Sequence, residues 1–203
     1  MILTLVVGAR PNFMKISPII DSIKKNNSFG YNKIKFRLVH TGQHYDKNMS
    51  DNFFEELQIP KPDLNLNCTG KTQTDLTAKI MIEFEKELLN NRPDVVLVVG
   101  DVTSTMACTL VAKKLQIKVA HVEAGIRSLD RTMPEEINRL VTDSICDYFF
   151  TTSETAVENL KKENIDDSKI FFVGNTMIDC LIKNLPRVSQ PKEINNNSIK
   201  KGK

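Results

Sequence analysis

A chain of 203 residues, 40% of them hydrophobic, is long enough for one substantial core, and a second full domain would strain the count. Its 28 basic and 25 acidic side chains leave a net charge of +3, which favours solubility and gives no strong field toward nucleic acid or a membrane. Cys68, Cys108, Cys146 and Cys180 lack C-x-x-C spacing, and His40, His44 and His121 lack i, i+4 pairing, so reduced packing cysteines and no metal site are expected.

Short apolar runs that read as buried strands fall at residues 2–7, 34–39, 95–99, 119–122, 148–150 and 170–173. The first is too short to span a bilayer and carries no cleavage-site pattern, which predicts a cytoplasmic protein without a membrane partner. It ends in Gly8-Ala9-Arg10-Pro11-Asn12-Phe13-Met14-Lys15, where a turn glycine and a proline near a helix start set Arg10 and Lys15 beside a helix N-terminus. Phosphate is the natural ligand of such a loop. The plainer alternative is two surface cations on an ordinary turn. One glycine is not a G-x-G-x-x-G fingerprint, and the second strand leads to His40-Thr41 instead of an acidic ribose anchor, so no nicotinamide cofactor is expected.

A helix with Leu76, Ile80, Phe84 and Leu88 on its inner face precedes the third strand, which delivers Gly100-Asp101-Val102-Thr103-Ser104. Asp101 there is either a base or a helix cap, with Thr103 or Ser104 as further capping candidates. The next helix carries Met106, Leu110, Val111 and Leu115. The fourth strand ends in His121-Val122-Glu123-Ala124-Gly125-Ile126-Arg127, a carboxylate and then a glycine hinge. An ion pair between Glu123 and Arg127 is the bland reading. Pro134-Glu135-Glu136-Ile137-Asn138-Arg139 then starts a helix whose apolar residues are Ile137, Leu140, Val141 and Ile145, with its two acids favoured by the dipole. After Asn175 a last helical pattern (Met177, Ile178, Leu181, Ile182, Leu185) stops before Pro186, and the composition beyond is that of a linker.

Repeated strand-helix-strand order predicts an α/β fold, a doubly wound parallel sheet of Rossmann-like type, whose ligands bind at the carboxyl ends of the strands. Two such ends and the helix start at Pro134 each contribute a carboxylate, and the first loop contributes cations. That combination suits elimination of an anionic leaving group.

Residues 8–15, Thr41-Gly42-Gln43-His44, Gly100-Asp101, residues 121–128, residues 134–139 and Val173-Gly174-Asn175 together resemble the signatures of the non-hydrolysing UDP-N-acetylglucosamine 2-epimerase family, over residues 1 to about 185. H-V-E-A-G-I-R followed by P-E-E-I-N-R is the most specific part. The first loop departs from the family pattern at Ala9 and Asn12, where Thr and Glu are common, and Val102 stands where Thr is common.

The resemblance implies the first domain of a two-domain B-type glycosyltransferase-like architecture, with residues 1–185 as the N-terminal catalytic half and 186–203 as a linker toward a missing C-terminal nucleotide-binding half. It implies a UDP-sugar substrate, no cofactor, and a homodimer in the full-length protein. The implied reaction interconverts UDP-GlcNAc and UDP-ManNAc by eliminating UDP and adding it back, in the service of cell-surface polysaccharide biosynthesis. Asp101, Glu123 and Glu135 match catalytic carboxylates; Arg10, Lys15, His44, Arg127 and Arg139 match substrate-binding positions. The chain alone is expected to be inactive. Two rival readings are a hydrolysing 2-epimerase, which releases ManNAc and UDP, and a non-catalytic nucleotide-sugar-binding module. The intact carboxylates argue against the second.

Overall fold

The computed structural model describes residues 1–30, 33–42 and 58–187. Strands β1 (Ile2–Val7), β2 (Lys35–His40), β3 (Leu64–Asn65), β4 (Val95–Val99), β5 (Lys118–Val122), β6 (Tyr148–Thr151) and β7 (Ile170–Phe172) form one sheet in the order β3-β2-β1-β4-β5-β6-β7. Every pairing is parallel. Among the described residues the α-helices are α1 (Arg10–Ser28), α2 (Gln73–Asn90), α3 (Thr103–Lys114), α4 (Pro134–Ile145), α5 (Glu154–Lys162) and α6 (Thr176–Asn184).

The alternation of side chains along the strands divides the core between the two faces of the sheet. Leu3, Leu5 and Val7 of β1 join Leu97 and Val99 of β4 and Phe13, Ile16 and Ile20 of α1. Val6, Val96 and Val98 point the other way, onto Ile80, Phe84 and Leu88 of α2 and Ala107, Cys108 and Val111 of α3. Strands covered on both sides need no polar face, which is why they read as unbroken apolar runs. The four cysteines are free and buried.

The doubly wound parallel sheet is thus the expected one, and β3 is an addition: two residues at the edge of the sheet carry too little pattern to be seen. The inner faces of three helices correct the sequence reading. On α3 the fully buried positions are small, with Ala107, Cys108 and Ala112 inside. Val111 is inside as expected and Leu115 packs against the same core, while close approach of α3 to the sheet favours small residues over the long ones at 106 and 110. Of the α4 residues, Glu136, Asn138, Thr142 and Asp143 are buried, whereas Ile137 is exposed. On α6 only Cys180 is buried, and Ile178, Leu181 and Ile182 are exposed. On α4 periodicity finds the apolar stripe but not that the polar side turns inward, where Glu136, Asn138 and Asp143 are held by hydrogen bonds.

The strand order reverses direction between β1 and β4, so the loops that follow these two strands diverge to opposite sides and open a crevice. Residues 8–9 and 100–102 line that opening.

Candidate active site

The loop after β1 is short because α1 begins at Arg10, with Pro11 in its first turn, where a missing N–H costs nothing. Asn12 is buried and holds the loop in shape. Its Oδ1 accepts from the N–H groups of Gly8 (3.3 Å) and Ala9 (2.8 Å), and its Nδ2 donates to the carbonyl of Val99 (2.9 Å). An amide can accept and donate at once, which a carboxylate cannot, so asparagine ties the β1 loop to the end of β4 directly. Arg10 is exposed on the first turn. Lys15, one turn further, is buried and its ammonium contacts the Glu123 carboxylate.

Gly100 ends β4 with φ +70, a conformation that favours glycine. A Cβ there would lie 2.9 Å from Lys15 Nζ, 3.4 Å from Asn12 Nδ2 and 3.5 Å from Glu123 Oε2. Lys15, Asn12 and Glu123 therefore converge on a backbone position where a side chain would crowd them. Asp101 follows, two-thirds buried, and forms an ion pair with Arg139 (2.5 Å) while its carbonyl accepts from Asn138 Nδ2 (2.8 Å). Asp101 is not the cap of α3, and neither is Thr103 or Ser104: the helix starts after Val102 without a side-chain cap. Thr103 instead donates to Gln73 of α2 (2.9 Å).

Glu123 has φ +71, in the left-handed region that a side chain makes costly by about 1–3 kcal/mol. The N–H groups of Glu123 and Ala124 both donate to the carbonyl of Phe150 at the end of β6, which holds the turn in place. Strain of this kind on a non-glycine residue at a strand's carboxyl end is characteristic of functional positions. Glu123 pairs with Lys15 and not with Arg127, so the bland sequence reading of a Glu123–Arg127 ion pair is replaced.

The guanidinium of Arg127 is buried between Asp143 (2.7 Å) and Glu163 (2.7 Å). Burial opposes its charge, but the two carboxylates win and raise its pKa. Asp143 is fully buried; burial would raise its pKa, yet His121, Arg127 and the Gly125 N–H together hold it below the usual carboxylate range.

The two acids that open α4 are not equivalent. Glu135 is exposed on the first turn. Glu136 is buried, accepts from the N–H groups of Ser128 (2.9 Å) and Leu129 (3.1 Å), and pairs with Arg139 (2.8 Å). Burial opposes its charge, and these donors outweigh it, bringing the pKa down to about 2. Sequence reasoning took Glu136 for a helix-start acid and did not single out Asp143. The available signal was a polar stripe, 136-138-142-143, on a helix whose other side is apolar. His44 lies outside the described residues. Among the described residues, no group of three or more His, Cys, Asp or Glu side chains is arranged to hold a metal ion, and no helix is long and apolar enough to cross a membrane.

The sequence model of a family described as UDP-N-acetylglucosamine 2-epimerase matches residues 28–203. The chain belongs to the UDP-N-acetylglucosamine 2-epimerase family. It is 50% identical over 183 residues to the UDP-N-acetylglucosamine 2-epimerase of Methanocaldococcus jannaschii, covering 90% of this chain and 48% of that protein. A UDP-2,3-diacetamido-2,3-dideoxy-D-glucuronate 2-epimerase of Pseudomonas aeruginosa is 42% identical over 188 residues, 92% of this chain and 52% of that one. A crystal structure of the M. jannaschii UDP-GlcNAc 2-epimerase, in complex with UDP-GlcNAc and UDP, superposes with a TM-score of 0.88 at 46% identity, over 97% of this chain and 52% of that structure. The chain thus spans about half the length of the relatives it matches.

Proposed function

We propose that this chain is the catalytic N-terminal half of an enzyme that interconverts UDP-GlcNAc and UDP-ManNAc by eliminating UDP and adding it back. The single observation that carries the reading is the convergence of Lys15, Asn12 and Glu123 on Gly100, with Asp101 next to it, at the reversal point of the sheet. The chemistry needs carboxylates and cations together. As the C1–O bond to UDP breaks, charge develops at C1 and the C2 hydrogen becomes removable by a carboxylate. Re-addition with the opposite configuration needs a proton delivered to the other face of C2, so a second acid is required. The diphosphate that leaves carries negative charge, which Arg10 and Lys15 are suited to stabilise. Because Lys15 already contacts Glu123, a diphosphate drawn to that ammonium arrives beside the candidate base.

Asp101, Glu123 and Glu135 are the carboxylates we assign to proton transfer. Arg10 and Lys15 bind the diphosphate; His44 and Arg139 complete the substrate contacts. Arg127 is assigned a supporting part in the same region, since its guanidinium is taken up by Asp143 and Glu163. Contacts to uracil and most of the diphosphate belong, in this reading, to a second half beyond residues 186–203, and the complete protein is a cytoplasmic homodimer serving cell-surface polysaccharide synthesis. The N-acyl sugar is the variable part: a relative at 42% identity is named for a diacetamido glucuronate donor. Incubation of the full-length protein with UDP-GlcNAc and separation of the products tests the proposal. UDP-ManNAc is expected; free ManNAc with UDP would assign the hydrolysing reaction, and neither product would overturn the reading.

A further inference from the structure

His121 lies on β5 opposite Val98, two residues before Glu123, and is fully buried. Its Nε2 is 2.8 Å from the carbonyl oxygen of Gly100, and its Nδ1 is 2.6 Å from Asp143 Oδ1. A carbonyl oxygen can only accept, so Nε2 must carry a proton. The other oxygen of Asp143 already accepts from the Gly125 N–H (3.0 Å) and from Arg127 (2.7 Å). The short Nδ1 contact therefore holds a second proton between the ring and the carboxylate. The ion-pair partner of the ring is Asp143 from α4, which also pairs with Arg127, and Arg127 reaches on to Glu163; Lys15 and Glu123 lie on the Gly100 side.

An aliphatic or aromatic side chain would fill this space without burying an ion pair, and such replacements are often neutral or stabilising. What the polar ring does that a hydrocarbon could not is join two turns. Through Gly100 it holds the residue that precedes Asp101. Through Asp143 it holds Gly125, which closes the strained turn that begins at Glu123. We propose that His121 is a positioning residue that fixes the Asp101 turn and the Glu123 turn relative to each other across the reacting carbon. The proposal rests on the elimination reading above. A displacement of about 1 Å in reacting groups can cost on the order of 10²-fold in rate, so the tether matters to turnover more than to substrate binding.

Two variants separate positioning from packing. In Asp143→Asn the amide oxygen still accepts from Gly125 and Arg127 while its NH₂ donates to Nδ1, so all the hydrogen bonds survive and kcat should stay within about fivefold of the parent. In His121→Asn the bond toward Asp143 can persist but the reach to Gly100 is lost, and kcat should fall about 100-fold with KM within about twofold. The ring is read directly by ¹⁵N-edited NMR of the intact protein, where His121 should show protons on both nitrogens and, in Asp143→Asn, on Nε2 alone. A folded His121→Asn protein with kcat within about threefold of the parent, or a loss carried by KM, would overturn the role. So would an unprotonated Nε2 in the parent, a result that needs no variant to fold. A parent that never exchanges the C2 hydrogen would overturn the elimination reading and this role with it, whereas the other outcomes sink the positioning role alone.

Discussion

Replacing Glu136 by glutamine removes a buried negative charge that three donors surround. In the folded protein its pKa lies at about 2 against an ordinary value of 4.5, because the Ser128 and Leu129 N–H groups and Arg139 outweigh the cost of burial. That difference corresponds to about 3 kcal/mol of preference for the ionised form in the folded state. Since the folded pKa is depressed, the contribution is fully present above the unfolded value of 4.5 and is lost as pH falls toward about 2. In Glu136→Gln the amide NH₂ must face a donor, so one N–H of the loop or one arm of Arg139 loses its acceptor. Arg139 keeps Asp101, which limits the loss. Urea unfolding at pH 7 should show the variant about 2–3 kcal/mol less stable than the parent. At pH 3 the gap should shrink to roughly half or less, since the unfolded parent then takes up the proton that folding must remove from Glu136. A gap below about 0.5 kcal/mol at pH 7, or one that does not change with pH, would refute the assignment of Glu136 as an ionised anchor of the 128–129 turn.

Phe84→Ala, at a fully buried position on α2, should cost about 3–5 kcal/mol in urea unfolding; less than about 1 kcal/mol would mean that α2 does not seal that face of the sheet. Calorimetric titration of the 203-residue chain with UDP should give a dissociation constant weaker than about 1 μM. Tighter binding would make these residues a self-sufficient nucleotide site and overturn the proposed division of labour. In the full-length protein, Arg10→Ala should raise KM about 10- to 100-fold, the equivalent of a charge-assisted contact of about 1.5–3 kcal/mol. An unchanged KM would remove Arg10 from the substrate site.

Much of this fold was legible because buried parallel strands announce themselves. Residues 2–7 and 95–99 are unbroken apolar runs, and the structure begins and ends β1 and β4 at those residues. The α2 stripe, too, falls where its spacing puts it, with Ile80, Phe84 and Leu88 inside. What was not legible is the polar underside of the crevice. Asp143 looks like a solvated position on α4 until His121, Gly125 and Arg127, from 16 to 22 residues away, are brought onto it. Glu136 and Glu135 are neighbours in sequence with the same helix-start explanation, and only the turn at 128–129 distinguishes the buried acid from the exposed one. The pairing of Glu123 with Lys15 spans 108 residues, a separation at which sequence spacing carries no contact information. The strand ends themselves were predictable, because any parallel sheet presents its ligands there.

Solvent deuterium tests the central claim most directly. If Asp101 and Glu123 move the C2 proton, full-length protein turning over UDP-GlcNAc in D₂O should place deuterium at C2 of both the recovered substrate and the product. Asp101→Asn and Glu123→Gln keep shape and hydrogen bonding while removing basicity, so each should lower turnover by about 10²–10⁴-fold. Incorporation should fall in step with turnover. Amide variants that turn over within a few-fold of the parent, with undiminished C2 labelling, would contradict the account and leave both residues as structural partners of Arg139 and Lys15.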